Sequence, residues 1–295
     1  MRELLNTDEA AAYLRLSERK LYELVASGSV PCSKVTGRWL FPKAALDRWV
    51  AAGLPSGLKT LEISSPPIVG GSHDPLLEWA LRESGCGLAS LPEGSEAGLR
   101  RLSRREVIAA AIHLHPLRGD HDRANVDAVA DAPGLHDAVV IGFSLREQGL
   151  VVAPANPLGL RNIAQLAKSG LRVARRQDGA GAQLLLLSLL AGAGIEPAAV
   201  TLTRPDCVTG PDIADRIKRE EADCGIATRS VAQAAGMGFV PLIWERFDLV
   251  LRQRDYFLPG PSALFGFIRS DRFRQRASDL GGYDLCVCGE IRLVN

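Results

Sequence analysis

The sequence predicts a two-domain protein, a small winged helix-turn-helix unit followed by a larger α/β domain. Its 295 residues exceed the usual size of one compact domain, and a hydrophobic content of 46% is ample for buried cores. Residues 3–52 hold short helical patterns around a Gly-centred hairpin. After Pro66-Pro67 the pattern changes to short apolar strands alternating with helical segments, which argues for a parallel or mixed sheet.

In the first unit, Thr7 offers an N-cap hydroxyl before Asp8-Glu9-Ala10-Ala11-Ala12-Tyr13-Leu14, whose two acids suit the positive end of a helix dipole. The chain turns through Arg15-Leu16 into Ser17, a second N-cap, and residues 18–26 set Leu21, Leu24 and Val25 on one face. Gly28 ends that helix. Residues 30–35 and 38–41 read as strands joined at Thr36-Gly37, a turn that needs the positive φ glycine supplies. Pro42 suits the first turn of a third helix, where Ala45, Leu46, Trp49 and Val50 recur at helical spacing to close a small core. Two short helices joined by a tight turn present the second to a major groove, so the expected partner is double-stranded DNA.

The residues Leu5, Thr7, Glu9-Ala10-Ala11, Tyr13-Leu14, Ser17, Leu21-Tyr22, Gly28, Gly37-Arg38, Phe41, Leu46 and Trp49 resemble the excisionase-type winged helix-turn-helix family over about the first fifty positions. The resemblance implies that Ser17, Arg19, Lys20 and Tyr22 face DNA from the recognition helix, while Lys34 and Arg38 reach backbone or minor groove from the wing. Such cations neutralise phosphates or bond guanine edges, and a helix N-terminus can hold a phosphate. Residues 53–65 break the periodicity and read as a linker.

In residues 66–295, Gly71-Ser72, Gly94-Ser95 and Gly179-Ala180-Gly181-Ala182 stand where strands end and helices begin. Free N–H groups at such junctions hold an oxyanion without a formal counter-charge. Ser72-His73-Asp74, Gly94-Ser95 with Gly98-Leu99, Ile112-His113-Leu114, Arg146 with Gln148-Gly149-Leu150, Asn156-Pro157, Arg176-Gln177, Ala222-Asp223, Glu245 with Asp248-Leu249, and Gly281-Gly282-Tyr283-Asp284 resemble, as a set, the periplasmic-binding-protein-like domain fused to helix-turn-helix regulators. That domain is similar to molybdate-binding proteins. The resemblance implies a type 2 periplasmic-binding-protein fold of two α/β lobes with ligand in the cleft. Lobe one would span about 66–152 and 247–295, and lobe two about 153–246. It places Ser72, His73, Gly94, Ser95 and His113 of lobe one, with Gly179, Ala180, Gly181, Val208 and Thr209 of lobe two, around a small ligand such as a molybdate-like oxyanion. Where relatives read Gly-Ser-Gly-Thr-Arg, this chain has Gly179-Ala180-Gly181-Ala182-Gln183, and Cys207-Val208 replaces Thr-His. Two hydroxyls and a cation are lost, which opens the alternatives of a less charged ligand, a more apolar organic one, or a domain that no longer binds a ligand.

Arg146, Arg175 and Arg176 can also meet an anion, though arginines in such loops more often pair with carboxylates. His115, His121 and His136 read as structural. Six scattered cysteines show no CxxC pair and no histidine at zinc spacing, so reduced thiols in a cytoplasmic protein are expected, and Cys286-Val287-Cys288 alone offers too few ligands for a metal. No metal, cofactor or membrane partner is expected; the longest apolar run, in residues 184–191, is far short of a span. A net charge of +1, with eight Lys or Arg against six Asp or Glu in residues 1–52, excludes a polycation and favours two copies, a homodimer, on a repeated or palindromic DNA site. The leading expectation is therefore a transcriptional regulator that senses a small ligand. The alternatives are an excisionase-like accessory protein without ligand response and an enzyme using His113 or Cys207.

Overall fold

The computed structural model describes residues 4–35, 37–52, 65–117 and 120–294. The chain divides into two compact units, Met1–Ser64 and Ser65–Asn295. In the first, β1 (Leu4–Leu5) precedes α1 (Thr7–Leu14), α2 (Glu18–Ala26), β2 (Ser33–Val35), β3 (Arg38–Pro42) and α3 (Lys43–Ala52). Asn6, not Thr7, caps α1. Its side chain accepts the Glu9 N–H at 2.8 Å while the Glu9 carboxylate accepts the Asn6 N–H at 2.9 Å, a reciprocal box that Thr7 cannot build one position later. Arg15, in the left-handed region at φ 56°, ends α1, and Ser17 caps α2 by accepting the Lys20 N–H.

The wing has three strands in the order β1-β3-β2, the extra one pairing Leu4 with Pro42 and Leu5 with Phe41. The second strand begins only at Ser33, since Val30 turns into the core and Pro31 has no N–H for a ladder. Pro42 closes β3 instead of opening α3. Ala10, Ala11, Leu21, Val30, Phe41 and Leu46 form the core, with Trp49 packed against it and Val50 left exposed. A core this small leaves little reserve, so Phe41→Ala, at roughly 3–5 kcal/mol, would remove most of the unit's stability. Thr36 of the expected turn and residues 53–64 of the expected linker lie outside the described residues.

The second unit runs β4 (Ile68–Gly71), α4 (Pro75–Glu83), β5 (Ala89–Pro92), α5 (Ser95–Ser103), β6 (Ala109–Ile112), α6 (Ala124–Ala130), β7 (Ala138–Val152), β8 (Arg172–Arg176), α7 (Gly181–Gly192), β9 (Thr201–Cys207), α8 (Gly210–Lys218), β10 (Cys224–Thr228), α9 (Arg229–Ala234), β11 (Gly238–Arg252), α10 (Pro259–Phe267), α11 (Asp271–Leu280), β12 (Tyr283–Asp284) and β13 (Ile291–Val294). A mixed sheet takes the order β5-β4-β6-β11-β7-β10-β8-β9, with β12 and β13 also on β7. Its spine is the antiparallel pair β7 and β11, which runs from Ala138–Arg252 to Val152–Gly238 with register shifts between Pro241 and Ile243 and between Phe247 and Asp248. Sequence reading sees two apolar pieces in β7. They are one strand, because Arg146, Glu147 and Gln148 between them are buried with partners.

Both lobes share these two strands. The outer half of β11, residues 248–251, pairs with β6 in lobe one. Residues 148–152 of β7 pair with β10, and Leu150 and Val152 pack with Leu185 and Ile226. Apolar residues fill both sides of each half-sheet: Leu76, Phe143, Phe247 and Phe273 against Leu102, Ile112 and Val250 in lobe one, and Leu150, Leu185 and Ile226 against Val151, Ile213 and Ala232 in lobe two. Among the described residues no helix is long and apolar enough to cross a membrane.

Candidate functional site

On the headpiece, Arg19, Lys20 and Tyr22 project from α2 into solvent, with exposures of 91% and 56% for the two cationic side chains. Tyr22 is half-exposed, outside the core. Arg19 and Lys20 both approach Glu23, whose carboxyl is held below its usual range by hydrogen bonds from these two cations. Exposed pairs of this kind are held weakly in water, so both cations can turn to phosphates. Ser17 spends its hydroxyl as the α2 cap. On the wing, Arg38 is exposed and the Lys34 ammonium lies 5.3 Å from the Trp39 ring centroid. Exposed cations thus stand on both α2 and the hairpin.

In the larger unit, the carboxyl ends of β4, β5, β6, β8, β9 and β10 converge with the starts of α5, α7 and α8 on the cleft. Ser72 follows β4, Ser95 opens α5 and His113 follows β6. The Ser72 and Ser95 hydroxyls are 2.8 Å apart, and the Ser95 hydroxyl donates to the His113 carbonyl at 3.1 Å while accepting the His113 N–H at 3.0 Å. Ser95 is therefore a fully buried hub whose capacity is spent within lobe one. His73 lies 3.5 Å from Glu78, and Asp74 caps α4.

From lobe two the loop at 179–182 closes directly onto these residues. Gly94, at φ +95°, leaves room for Ala180, whose Cα would stand 3.0 Å from any added Cβ, and a Cβ on Gly181 would meet the His113 carbonyl oxygen at 2.1 Å. Gly179 accepts the Glu96 N–H across the cleft at 3.3 Å. Val208 and Thr209 serve differently from the sequence expectation. Both N–H groups donate to Asp212 to start α8, the Val208 side chain is half-exposed, and its carbonyl accepts from Arg176.

Behind this contact the two lobes leave only a narrow gap, about 20 Å³ free to a water-sized sphere, lined by Ser72, His73, His113, Arg146, Gln148, Arg176, Ala182 and Thr228. Two of its arginines belong to different electrostatic classes. Arg146 is wholly buried between Asp74 at 3.0 Å and Glu245 at 2.7 Å; burial opposes its charge, but the two carboxylates raise its pKa above the ordinary value. The Arg176 guanidinium donates to the Cys207 and Val208 carbonyls, at 3.0 and 2.7 Å, and burial pushes it down to about 10. Among the described residues no carboxylate pairs with it, whereas its neighbour Arg175 is bound by Asp206 and Asp178.

Glu245, outside the residues expected at the site, lies behind His113, Arg146 and Gln148 of this lining. Glu245 accepts from Arg146 and Gln148 on one oxygen and faces His113 Nδ1 at 3.0 Å and His115 Nε2 at 2.6 Å on the other. Burial opposes ionisation of Glu245, yet His113, Arg146 and these hydrogen bonds hold it well below the usual carboxyl range. Burial takes His113 down to about 3, so its imidazole is neutral at physiological pH. With Nδ1–H turned to Glu245, Nε2 is left as an acceptor. Gln148 must likewise aim its amide nitrogen at the carboxylate, and its buried carbonyl oxygen has no partner. No spacing rule could have found the His115–Glu245 pair, since 130 positions separate the two. The thiol of Cys207 is pushed up by burial, and that of Cys224 to about 12.

The N-terminal residues 4–53 match a model described as a helix-turn-helix domain, and residues 78–269 match the PBP superfamily domain. An uncharacterized protein, YvgK of Bacillus subtilis, is 25% identical over 97% of this chain and 96% of its own length. Among solved structures, an H2O2-bound mutant of Corynebacterium glutamicum OxyR has a TM-score of 0.51 at 16% identity, covering 93% of this chain and 89% of that one. The sulfate-binding protein SubI of Mycobacterium tuberculosis also reaches 0.51, at 14% identity over 73% of this chain and 85% of that one. A phosphate-bound substrate-binding protein from Clostridium perfringens scores 0.50 at 13% identity, covering 72% and 96%. With two lobes built on a shared pair of crossing strands and a cleft at the strand ends, behind a helix-turn-helix domain, this chain belongs to the PBP, or periplasmic-binding-protein, superfamily.

Proposed function

We propose that this protein is a transcriptional regulator whose grip on DNA changes when a small anion closes the two lobes of its larger domain. The observation that carries the reading is Arg176, a buried guanidinium with no carboxylate in direct contact among the described residues, in a cavity lined from both lobes. A buried charge left unpaired is costly, and an anionic guest offsets that cost. The guest also needs a donor, because the Gln148 carbonyl and His113 Nε2 are acceptors. A protonated oxyanion or a hydroxylated carboxylate meets both demands better than a fully deprotonated one. Bare molybdate meets only the first.

The sulfate- and phosphate-binding neighbours favour a small oxyanion, while the peroxide of the OxyR mutant does not carry over. Cys207 and Cys224 are buried thiols with raised pKa values, the reverse of what a peroxide-reactive thiolate requires. On DNA, Arg19, Lys20 and Arg38 supply phosphate contacts, and so few cations favour two copies on a repeated or palindromic site. No residue is assigned a catalytic role.

The test is a thermal-shift series with phosphate, sulfate, molybdate and small hydroxy acids, followed by DNA selection from a random library with and without the stabilising anion. At a hundred times its Kd, a specific ligand stabilises the protein by about 2.7 kcal/mol. Stabilisation by neutral metabolites alone, or selected DNA whose affinity ignores the ligand, would remove the reading.

A further inference from the structure

We propose that His113 Nδ1, His115 Nε2 and Glu245 Oε2 form a site for one divalent transition-metal ion of the zinc class. The proposal shares His113 with the anion reading: an ion on Nδ1 places the ring proton on Nε2, which then donates to the cleft instead of accepting. The three candidate ligand atoms lie within 4.8 Å of one another, all on buried residues. Two imidazoles and one carboxylate are a ligand set that holds zinc with a fourth tetrahedral position open. The nitrogens stand 3.0 and 2.6 Å from Oε2, and a tetrahedral ion with bonds of about 2.0–2.1 Å needs ligand atoms roughly 3.3 Å apart. Each nitrogen-to-carboxylate distance therefore needs to lengthen by less than about 1 Å.

The surroundings suit a cation. Arg146 and Gln148 fix Glu245 Oε1, which leaves Oε2 aimed at both rings, the outer support that metal-binding carboxylates require. Asp74 offsets the charge of Arg146, so Glu245 keeps a net negative charge facing the rings. Access comes from a cavity that reaches His115 and Glu245 past His121, Asp122 and Trp244. His115 Nδ1 is buried without a partner in the metal-free arrangement. On binding, a ring that ligates through one nitrogen carries its proton on the other. His115 Nδ1 then becomes a donor and needs an acceptor, which water in that cavity supplies.

The experiment uses the full chain, stripped with chelator, carrying Cys286→Ser and Cys288→Ser to remove the two thiols at 286–288. Equilibrium dialysis with Zn2+ or Co2+ is expected to give one ion per chain. X-ray absorption of the zinc form is expected to show only nitrogen and oxygen neighbours, with the signature of two imidazoles. His115→Gln, which can still donate to Glu245, should weaken binding by more than the roughly 10–100-fold that loss of a supporting partner costs, with an unchanged circular-dichroism spectrum. Absence of stoichiometric binding, sulfur in the zinc shell, or unaltered affinity in a folded H115Q protein would each overturn the site. Should H115Q not fold, the absorption spectrum of the parent protein decides alone.

Discussion

The two sides of the cleft are unlike. Lobe one presents Ser72, Ser95 and His113 already bonded to one another, and its buried arginine, Arg146, already neutralised. Lobe two presents Arg176, which has backbone carbonyls for company and, among the described residues, no carboxylate in direct contact, Asp212 acting on it only at longer range. A finished network is rigid and has little left to give a ligand, while an unpaired buried cation is strained in the empty state and relieved in the filled one. On this reading lobe one sets the shape of the site and lobe two sets its charge selectivity. The largest expected effect follows. Arg176→Met should lower affinity for the stabilising anion by roughly 10- to 150-fold, the worth of a charge-assisted hydrogen bond of about 1.5–3 kcal/mol. Its ligand-free melting temperature should not fall, because an unpaired buried charge has gone. Calorimetric titration with a parallel melt reads both, and a larger affinity loss from Ser72→Ala would invert the comparison.

Closure itself can be broken next. Gly181 is the first residue of α7, where alanine would favour the helix by up to about 1 kcal/mol. The same Cβ would stand 2.1 Å from the His113 carbonyl oxygen across the cleft. Gly181→Ala should therefore hold the lobes apart and weaken ligand binding at least about tenfold, since the competent closed state becomes rare. Small-angle scattering should show a larger radius of gyration that ligand no longer reduces. A smaller effect belongs to Ser95→Ala. It removes the hub of three hydrogen bonds and should cost about 1–3 kcal/mol of stability, with less change in ligand affinity than either lobe-two variant, as chemical denaturation and titration would show.

How far these features could be read from sequence differs with the range of the interaction that makes them. Helices α1 and α2 and the turn between them were readable because Leu21, Ser17 and Gly28 act within a few positions of themselves. Strand β1 was not, since two residues carry no period and its partners Phe41 and Pro42 lie 36 or more positions away. The unity of β7 was hidden by Arg146-Glu147-Gln148, polar residues that look like a loop until their buried partners are known. The junction loops Gly71-Ser72, Gly94-Ser95 and Gly179–182 could be marked as meeting points, and the structure does bring them together. That Ser95 is spent within its own lobe depends on the His113 backbone, and that Glu245 joins His113 to His115 depends on a strand far along the chain.

Arg175 and Arg176 show the same point at its sharpest and yield the smallest expected effect. They are neighbours on β8, so their side chains leave opposite faces of the sheet. Nothing in the local sequence ranks one above the other. Arg175 meets Asp206 on the adjacent strand β9 and Asp178 just past its own strand, one of them largely exposed. Its charge is balanced whether or not the cleft is filled, so no differential free energy connects it to the ligand. Arg175→Gln should cost about 1–2 kcal/mol of stability through the lost pairs and leave anion affinity within about twofold of wild type. A ligand defect in Arg175→Gln as deep as that of Arg176→Met would mean that overall positive charge, and not the absence of a partner, governs the site. The contrast between the lobes would then have to be redrawn around net charge.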